Sequence, residues 1–330
     1  MAEPADAQPF PVARDGAPVP DRLRRAVVAI GNFDGVHLGH RAVIGGALRR
    51  AEALRRPAAA LTFEPHPRTF FEPEAHSFRL TSEAAKLRLL AATGLDGAIV
   101  LTFDAALASL PAEQFVEDIL VDRLAISGAV IGFNFHFGRE RQGTPDFLVA
   151  EGVHHGFSVD VVPPFQQHGR RVSSGAIRDA LSAGRVAEAN DLLSYPWFVT
   201  GQVVHGDKRG RALGYPTANI RLDPDCGLKH GVYAVRVALG GVRYDGVANF
   251  GRRPMFDTGA VLLEVYLFDF SGDLYGAVLD VAFIEWIRPE MDFGNVDELI
   301  WRMDDDSRHA RTALAREPEA FPSLGTPLSE

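Results

Sequence analysis

The chain has 330 residues, a formal net charge of -9, 46% apolar residues and 23% charged ones. That length allows two domains with substantial cores, at roughly 150 residues each, and the acidic balance without a Lys/Arg block argues against a general nucleic-acid coat. No run approaches the roughly eighteen apolar residues of a membrane span, and the single cysteine, Cys226, cannot form an internal disulfide, which fits a reducing, cytoplasmic setting.

Residues 1–25 are rich in Ala, Pro and Asp and lack the apolar core of a signal peptide, so a flexible lead-in is expected. Ala26 to Ile30 then reads as a buried strand. It delivers Gly31-Asn32-Phe33-Asp34-Gly35-Val36-His37-Leu38-Gly39-His40, where Gly35 lets the chain turn and a helix is expected to begin near Val36. Helix-start amides and the positive end of the dipole favour an anion there, and Gly39 admits nucleotide atoms close to the backbone. His37 and His40, spaced i, i+3, face one way and can donate to phosphate oxygens whose charge grows during transfer. Two other readings stay open on the residues alone. The histidines are ordinary polar side chains, or they are a metal pair, against which stand their spacing and the lack of a thiolate cage.

Ala58 to Phe63 reads as the second strand, and Thr62-Phe63-Glu64-Pro65-His66-Pro67 ends it. The two prolines fix the backbone around His66, so an imidazole and an aromatic face are held towards a ligand, or the segment is a plain turn. Helical spacing over Ser82 to Ala92 and Glu113 to Leu124 separates further strands at Gly97 to Phe103, Ala129 to Phe133 and Ser158 to Val162. This alternation predicts a parallel sheet with ligands beyond the carboxyl ends of its strands. Gly132-Phe133-Asn134-Phe135-His136-Phe137-Gly138 offers flat faces to a heteroaromatic ring, or a strand packed on the core. Val172-Ser173-Ser174-Gly175-Ala176-Ile177-Arg178 predicts an N-cap and a helix closed by Gly184, suited to phosphate or to capping alone.

The pattern changes after Tyr195-Pro196, which places a boundary near residues 187–195, a first domain over 26–190, a second over 191–317 and a flexible tail over 318–330. Short β-rich runs follow at Phe198 to Val204, Val232 to Leu239, Val242 to Ala248, Val261 to Phe268 and Val278 to Trp286, with a hairpin signal at Gly240-Gly241. They predict a small barrel or sandwich. Asn295 and Glu298 announce a final helix from about Val296 through a variant capping box. Between the first two runs, Gly206-Asp207-Lys208-Arg209-Gly210-Arg211-Ala212-Leu213-Gly214-Tyr215-Pro216-Thr217-Ala218-Asn219 makes a positive loop whose amides can wrap phosphate oxygens, in a layout unlike a P-loop. Thr217 and Asn219 lie on one face of an extended segment and are hard oxygen ligands suited to magnesium. In Val261-Leu262-Leu263-Glu264-Val265-Tyr266-Leu267-Phe268 the odd positions are aliphatic, which leaves Glu264 with Tyr266 and Phe268 on the other face. Glu264 is the candidate base for an attacking hydroxyl, with a solvent-facing strand glutamate as the alternative.

Taken in order over nearly all of residues 26–306, these segments resemble the bacterial bifunctional riboflavin kinase/FAD synthetase family, within the HxGH nucleotidyltransferase superfamily for the first half. The resemblance implies an α/β parallel-sheet FMN adenylyltransferase domain followed by a small riboflavin-kinase-like β-barrel with a terminal helix. It implies riboflavin plus ATP to FMN plus ADP, then FMN plus ATP to FAD plus pyrophosphate, with Mg2+ as cofactor. Flavins and ATP are the implied partners, without nucleic acid or membrane, and weak self-association is left open. By the same resemblance Gly31, Phe33, Asp34, Gly39, Asn134, Ser173, Ser174 and Arg178 hold the nucleotide around His37 and His40, while Phe63, His66 and Phe135 lie towards FMN. Gly206, Lys208, Gly210, Arg211, Gly214 and Pro216 hold the second nucleotide, Thr217 and Asn219 bind magnesium, Glu264 activates the ribityl hydroxyl, and Arg288 and Phe293 lie near the flavin. Gly175, Met255 and Asp292 depart from the threonine, small hydroxyl residue and basic residue usual in the family. A chain with one competent module, and a flavin-binding regulator that kept the pockets, are the rival readings.

Overall fold

Two units make up the chain, one from residues up to 72 together with 83–172, the other from residues 78–82 and 173 onward. The computed structural model describes residues 10–15, 17–72, 78–206, 214–252 and 261–317. Lys208, Gly210, Arg211 and Met255 lie outside the described residues.

The first unit is a sheet of six strands, β1 (Val12–Arg14), β2 (Val27–Ile30), β3 (Ala58–Glu64), β4 (Gly97–Thr102), β5 (Gly128–Gly132) and β6 (Ser158–Val162), in the order β1-β4-β3-β2-β5-β6. Every pairing is parallel. Its helices are α1 (Leu38–Leu54), α2 (Pro67–Phe71), α3 (Glu83–Ala91), α4 (Ala105–Ser109), α5 (Ala112–Gln114), which runs into a π-helix over Phe115–Arg123, and α6 (Pro145–His155). A small hairpin, β7 (Gln166–Gln167) and β8 (Arg170–Arg171), follows. β2 and the first residues of β3 are fully buried, which is why they read as unbroken apolar runs rather than as alternation. From β2 the chain moves one way to β3 and β4, then returns to lay β5 on the other side of β2. The carboxyl ends of β2 and β5 therefore flank the point where the order reverses, the crevice that open sheets offer to ligands.

The second unit opens with α7 (Ser174–Ser182) and α8 (Val186–Leu193). β9 (Phe198–Val204), β10 (Ala218–Arg221), β11 (Gly231–Leu239), β12 (Val242–Arg252), β13 (Val261–Leu267) and β14 (Val278–Arg288) then close an antiparallel barrel in the order β10-β13-β12-β11-β14-β9. α9 (Val296–Arg316) packs on it through Ala310, Ala313 and Leu314. Asn295 Oδ1 caps α9 by accepting from the Glu298 amide at 2.9 Å, and Glu298 reaches back to the Gly294 amide at 3.2 Å. Arg236, 1% exposed, holds the other end of this helix by donating to the carbonyls of Leu314 and Glu317.

Four elements differ from expectation. Val12–Arg14, inside the expected lead-in, pairs with β4, a strand too short to carry a periodic signal. α1 starts at Leu38 rather than near Val36, because Val36 has a φ of 37° and donates its amide to the Phe33 carbonyl in a turn. The stretch Glu113 to Leu124 widens into π turns, where Phe115 and Leu120 share the buried face five residues apart. Phe268 falls one residue beyond β13, where it meets Tyr266 edge-on, centroids 5.8 Å apart, and packs against α9.

Candidate active sites

At the carboxyl end of β2, His37 is the N-cap of α1, and its Nδ1 accepts the His40 amide at 3.2 Å. An Nδ1 that accepts leaves the ring proton on Nε2, so the cap fixes the tautomer. The two imidazoles stack with centroids 3.6 Å apart and planes 13° from parallel, and the Phe33 ring meets His40 edge-on at 5.3 Å. Burial, then the positive charge available to His37, Lys86 and His66, holds the His40 imidazole well below its usual range. His40 Nδ1 is buried with no hydrogen-bond partner among the described residues. Gly39 also leaves room for the His37 ring, which the sequence did not suggest: a Cβ on it would sit 3.1 Å from His37 Cε1 and 3.2 Å from Nδ1, a tight contact. Asp34 is buried in the same turn, and Gly31 packs under the Phe33 ring.

The end of β3 repeats the device. His66 caps α2, with Nδ1 accepting the Arg68 amide at 3.1 Å and Pro67 at the first helical position. Phe63 is buried against Phe103, their centroids 6.1 Å apart. Beyond β5, Asn134 is exposed, while Phe135 stacks on the buried Phe137 at 5.4 Å and so belongs partly to the core.

His37, His40, Gly31, Phe33, Asp34, Gly39, Phe63 and His66 thus gather at adjacent strand ends. Ser173, Ser174 and Arg178 belong to the second unit. Ser173 caps α7, its Oγ accepting the Ala176 amide at 3.2 Å, and Arg178 donates to the Phe78 carbonyl.

The barrel brings distant residues into one rank through register. Asn219 on β10 lies opposite Glu264 on β13, Glu264 opposite Asn249 on β12, Asn249 opposite Val232 on β11, and Val232 opposite Arg288 on β14. Residues opposite one another in an antiparallel ladder direct their side chains to the same face. Beside this rank is a cavity of about 230 Å3 lined by Tyr215, Thr217, Asn249, Glu264, Tyr266, Arg288, Glu290, Phe293 and, from α9, Leu299, Met303 and Asp306. Aromatic and aliphatic walls with a few carboxylates and one guanidinium suit a flat heteroaromatic ligand with a polar chain.

Asn219 is 6% exposed, and its Oδ1 has no hydrogen-bond partner among the described residues. A buried amide oxygen beside Thr217 is a donor set that fits a hard divalent cation. Gly206 packs directly on this side chain: a Cβ there would meet Asn219 Nδ2 at 2.5 Å. Gly214 has a φ of 87°, and Pro216 precedes Thr217 in the segment leading to β10. Arg288 is fixed by Asp306, which accepts from Nε at 2.9 Å and from Nη2 at 2.7 Å, and the guanidinium lies 5.8 Å from the centroid of the Phe293 ring. Tyr215 donates to Asp304, and burial pushes its phenol up to about 12. Asn249, Asp306 and Tyr215 escaped the sequence reading of the site. Asn249 lies in a short run, Asn249-Phe250-Gly251, that shares the resemblance to the riboflavin kinase module, but only barrel register brings it to Glu264, and Asp306 shows only as an acidic residue on the otherwise apolar face of α9.

A family model described as FAD synthetase matches residues 19–176, and one described as riboflavin kinase matches residues 193–314. Curated relatives are named bifunctional riboflavin kinase/FMN adenylyltransferase. That of Pseudomonas fluorescens is 41% identical over 88% of this chain and 94% of its own length. Those of Haemophilus influenzae and Escherichia coli K12 are each 40% identical, over 88% and 86% of this chain and 94% and 91% of their own lengths. A crystal structure described as a macrolide-efflux protein from Streptococcus pneumoniae is 32% identical, covers 87% of this chain and 94% of its own, and superposes with a TM-score of 0.78. Among the described residues of this chain, no helix is long and apolar enough to cross a membrane.

Proposed function

Because the chain belongs to the family of bifunctional riboflavin kinases/FMN adenylyltransferases, we propose that it phosphorylates riboflavin with ATP to give FMN, then joins AMP from a second ATP to FMN, releasing pyrophosphate and FAD. The observation that carries this reading is the barrel rank, which sets an orphaned amide oxygen on Asn219 opposite the carboxylate of Glu264 at the edge of an aromatic cavity.

In the kinase half, riboflavin lies in the cavity between Tyr266 and Phe293, near Arg288. Glu264 accepts the proton of the terminal ribityl hydroxyl as its oxygen attacks the γ-phosphorus of ATP, the bond to the bridging oxygen breaks and ADP leaves. Thr217 and Asn219 would hold Mg2+ with the nucleotide. When bound there, the ion neutralises charge on the phosphates. Gly206, Lys208, Gly210, Arg211, Gly214 and Pro216 are assigned to the loop that holds ATP.

In the adenylyltransferase half, an oxygen of the FMN phosphate attacks the α-phosphorus of ATP and pyrophosphate leaves. His37, fixed as the Nε2–H tautomer, and His40 stabilise charge developing on the phosphates. Gly31, Phe33, Asp34, Gly39, Asn134, Ser173, Ser174 and Arg178 are assigned to the nucleotide, and Phe63, His66 and Phe135 to the flavin. A cytoplasmic setting is supported by the ATP-dependent chemistry and by Cys226, whose thiol burial pushes up to about 11 and so keeps unreactive.

The test is product analysis after incubation with riboflavin, ATP and magnesium. FMN and FAD are expected. FMN alone would leave only the kinase, and neither product with flavin still bound would favour a regulator.

A further inference from the structure

Lys86 belongs to none of the motifs above. It lies within α3, yet its side chain is only 3% exposed. The ammonium donates to the Asn32 carbonyl at 3.4 Å, Thr62 Oγ1 at 3.1 Å and the Phe63 carbonyl at 3.3 Å, and pairs with Glu64 Oε1 at 2.7 Å. Thr62 Oγ1 in turn donates to the Asn32 carbonyl at 3.2 Å. Asn32 opens the turn that presents Phe33, His37 and His40. Phe63 and Glu64 close β3 immediately before Pro65 and His66. One cation therefore fastens two chain segments, each of which ends in an imidazole-capped helix start.

Stability alone is a weak reason for such a group. Apolar residues of similar volume commonly serve a buried position at least as well as an ion pair does. What the pair supplies is directional: an ammonium with three protons shared among four oxygens fixes the spacing of the segments that carry them.

We propose that Lys86 is a positioning residue of the adenylyl-transfer site, setting the Phe33–His40 turn against the Glu64–His66 turn so that nucleotide and flavin phosphate meet in line. The proposal rests on the adenylyltransferase reading given above. His40 offers a second handle on it, because the groups acting on its imidazole are His37, His66 and Lys86, the last paired with Glu64. Burial is the main reason that the His40 titration is depressed, and loss of the Lys86 charge, a smaller influence, moves it slightly upward.

The experiment uses the full chain carrying Lys86→Met together with Glu64→Gln, which avoids stranding a carboxylate. Thr62→Val, nearly isosteric, is the second variant. In each, FAD formation from supplied FMN and ATP is measured beside riboflavin phosphorylation, with the His40 ring followed by NMR across pH. For the double variant the expected result is a tenfold or greater fall in kcat for FAD formation, phosphorylation within about twofold of the parent, and an upward move of the His40 titration. Thr62→Val should lower the same kcat about three- to tenfold, in keeping with the loss of its two modest hydrogen bonds, one from Lys86 and one to the Asn32 carbonyl. A folded double variant with parental kcat and parental His40 titration overturns the proposal, as does Thr62→Val with parental kcat if the double variant fails to fold. A parent that makes no FAD defeats the adenylyltransferase reading instead. The His40 titration of the variant then still decides whether Lys86 holds this cluster.

Discussion

Asn219 and Glu264 face each other across β10 and β13, 45 positions apart in sequence and neighbours in the ladder. This register sets the proposed metal ligand beside the proposed base, and it makes the chemistry of Glu264 separable from the fold. Glu264→Gln keeps the shape of a half-buried side chain and removes its basicity. General-base assistance contributes on the order of a hundredfold to ten-thousandfold. FMN production from riboflavin should fall by that factor, while FAD formation from added FMN persists. Assay of both half-reactions on one preparation decides it, and near-normal phosphorylation would reject the base role.

His37→Ala and His40→Ala should each lower adenylyl transfer and spare riboflavin phosphorylation. One donor to developing phosphate charge supplies about 2 to 4 kcal/mol. His37→Ala also removes the cap of α1, at about 1 kcal/mol, so its melting temperature should fall slightly. Unchanged FAD formation in either variant would sink the assignment.

The depressed titration of His40 also links stability to pH. Because the folded chain favours the neutral ring, this contribution is complete above the ordinary value of 6.5 and is lost as pH falls below it. Denaturant melts of the parent should therefore weaken from pH 7 to pH 5 more than melts of His40→Gln do. Equal slopes would mean that the ring titrates normally.

Arg288 and Asp306 form a nearly buried pair, with side chains 15% and 6% exposed. Removing one partner strands a charge, at about 3 to 5 kcal/mol. Asp306→Ala should lower the melting temperature of the barrel and weaken riboflavin binding, because the guanidinium is no longer aimed into the cavity. Asp306→Asn should do less of both. Calorimetry and flavin fluorescence titration measure the two effects.

The kinase half should be most stable alone when it keeps its flanking pieces. A fragment from Asp191 omits the buried Ile177, Ala180 and Leu181 of α7 and Val186 and Ala189 of α8. It also leaves the Trp197 indole without the Leu80 carbonyl that accepts from it at 2.8 Å. A fragment from Ser173 restores the helices but not that carbonyl. It should be the more stable of the two in urea melts, and both should make FMN and no FAD. Equal stability would show that α7 and α8 are dispensable.

Much of this was legible because it is local. The turn after β2, the two prolines around His66 and the alternation of β13 announce themselves within ten residues. The burial of Val261, Leu263, Val265 and Leu267 follows that alternation directly. What stayed hidden depends on contacts between distant segments. Lys86 reads as an ordinary helix cation until Asn32, Thr62 and Glu64 surround it. Asn249 joins the candidate site only once barrel register sets it opposite Glu264. Asp306 sits in an acidic run, Asp304-Asp305-Asp306, where only its helical spacing from Ala310, Ala313 and Leu314 marks it as the member that turns inward.

The closed barrel has no free rim, whereas the parallel sheet ends at β1 on one side. β1 is three residues long, but it occupies the backbone donors and acceptors of β4 along Ala98 to Val100. A chain trimmed to begin at Ala26, which keeps every catalytic motif, would strip that cover and present β4 as a template for another molecule to pair with. Loss of the short N-terminal strand should therefore show in yield and solubility rather than in turnover.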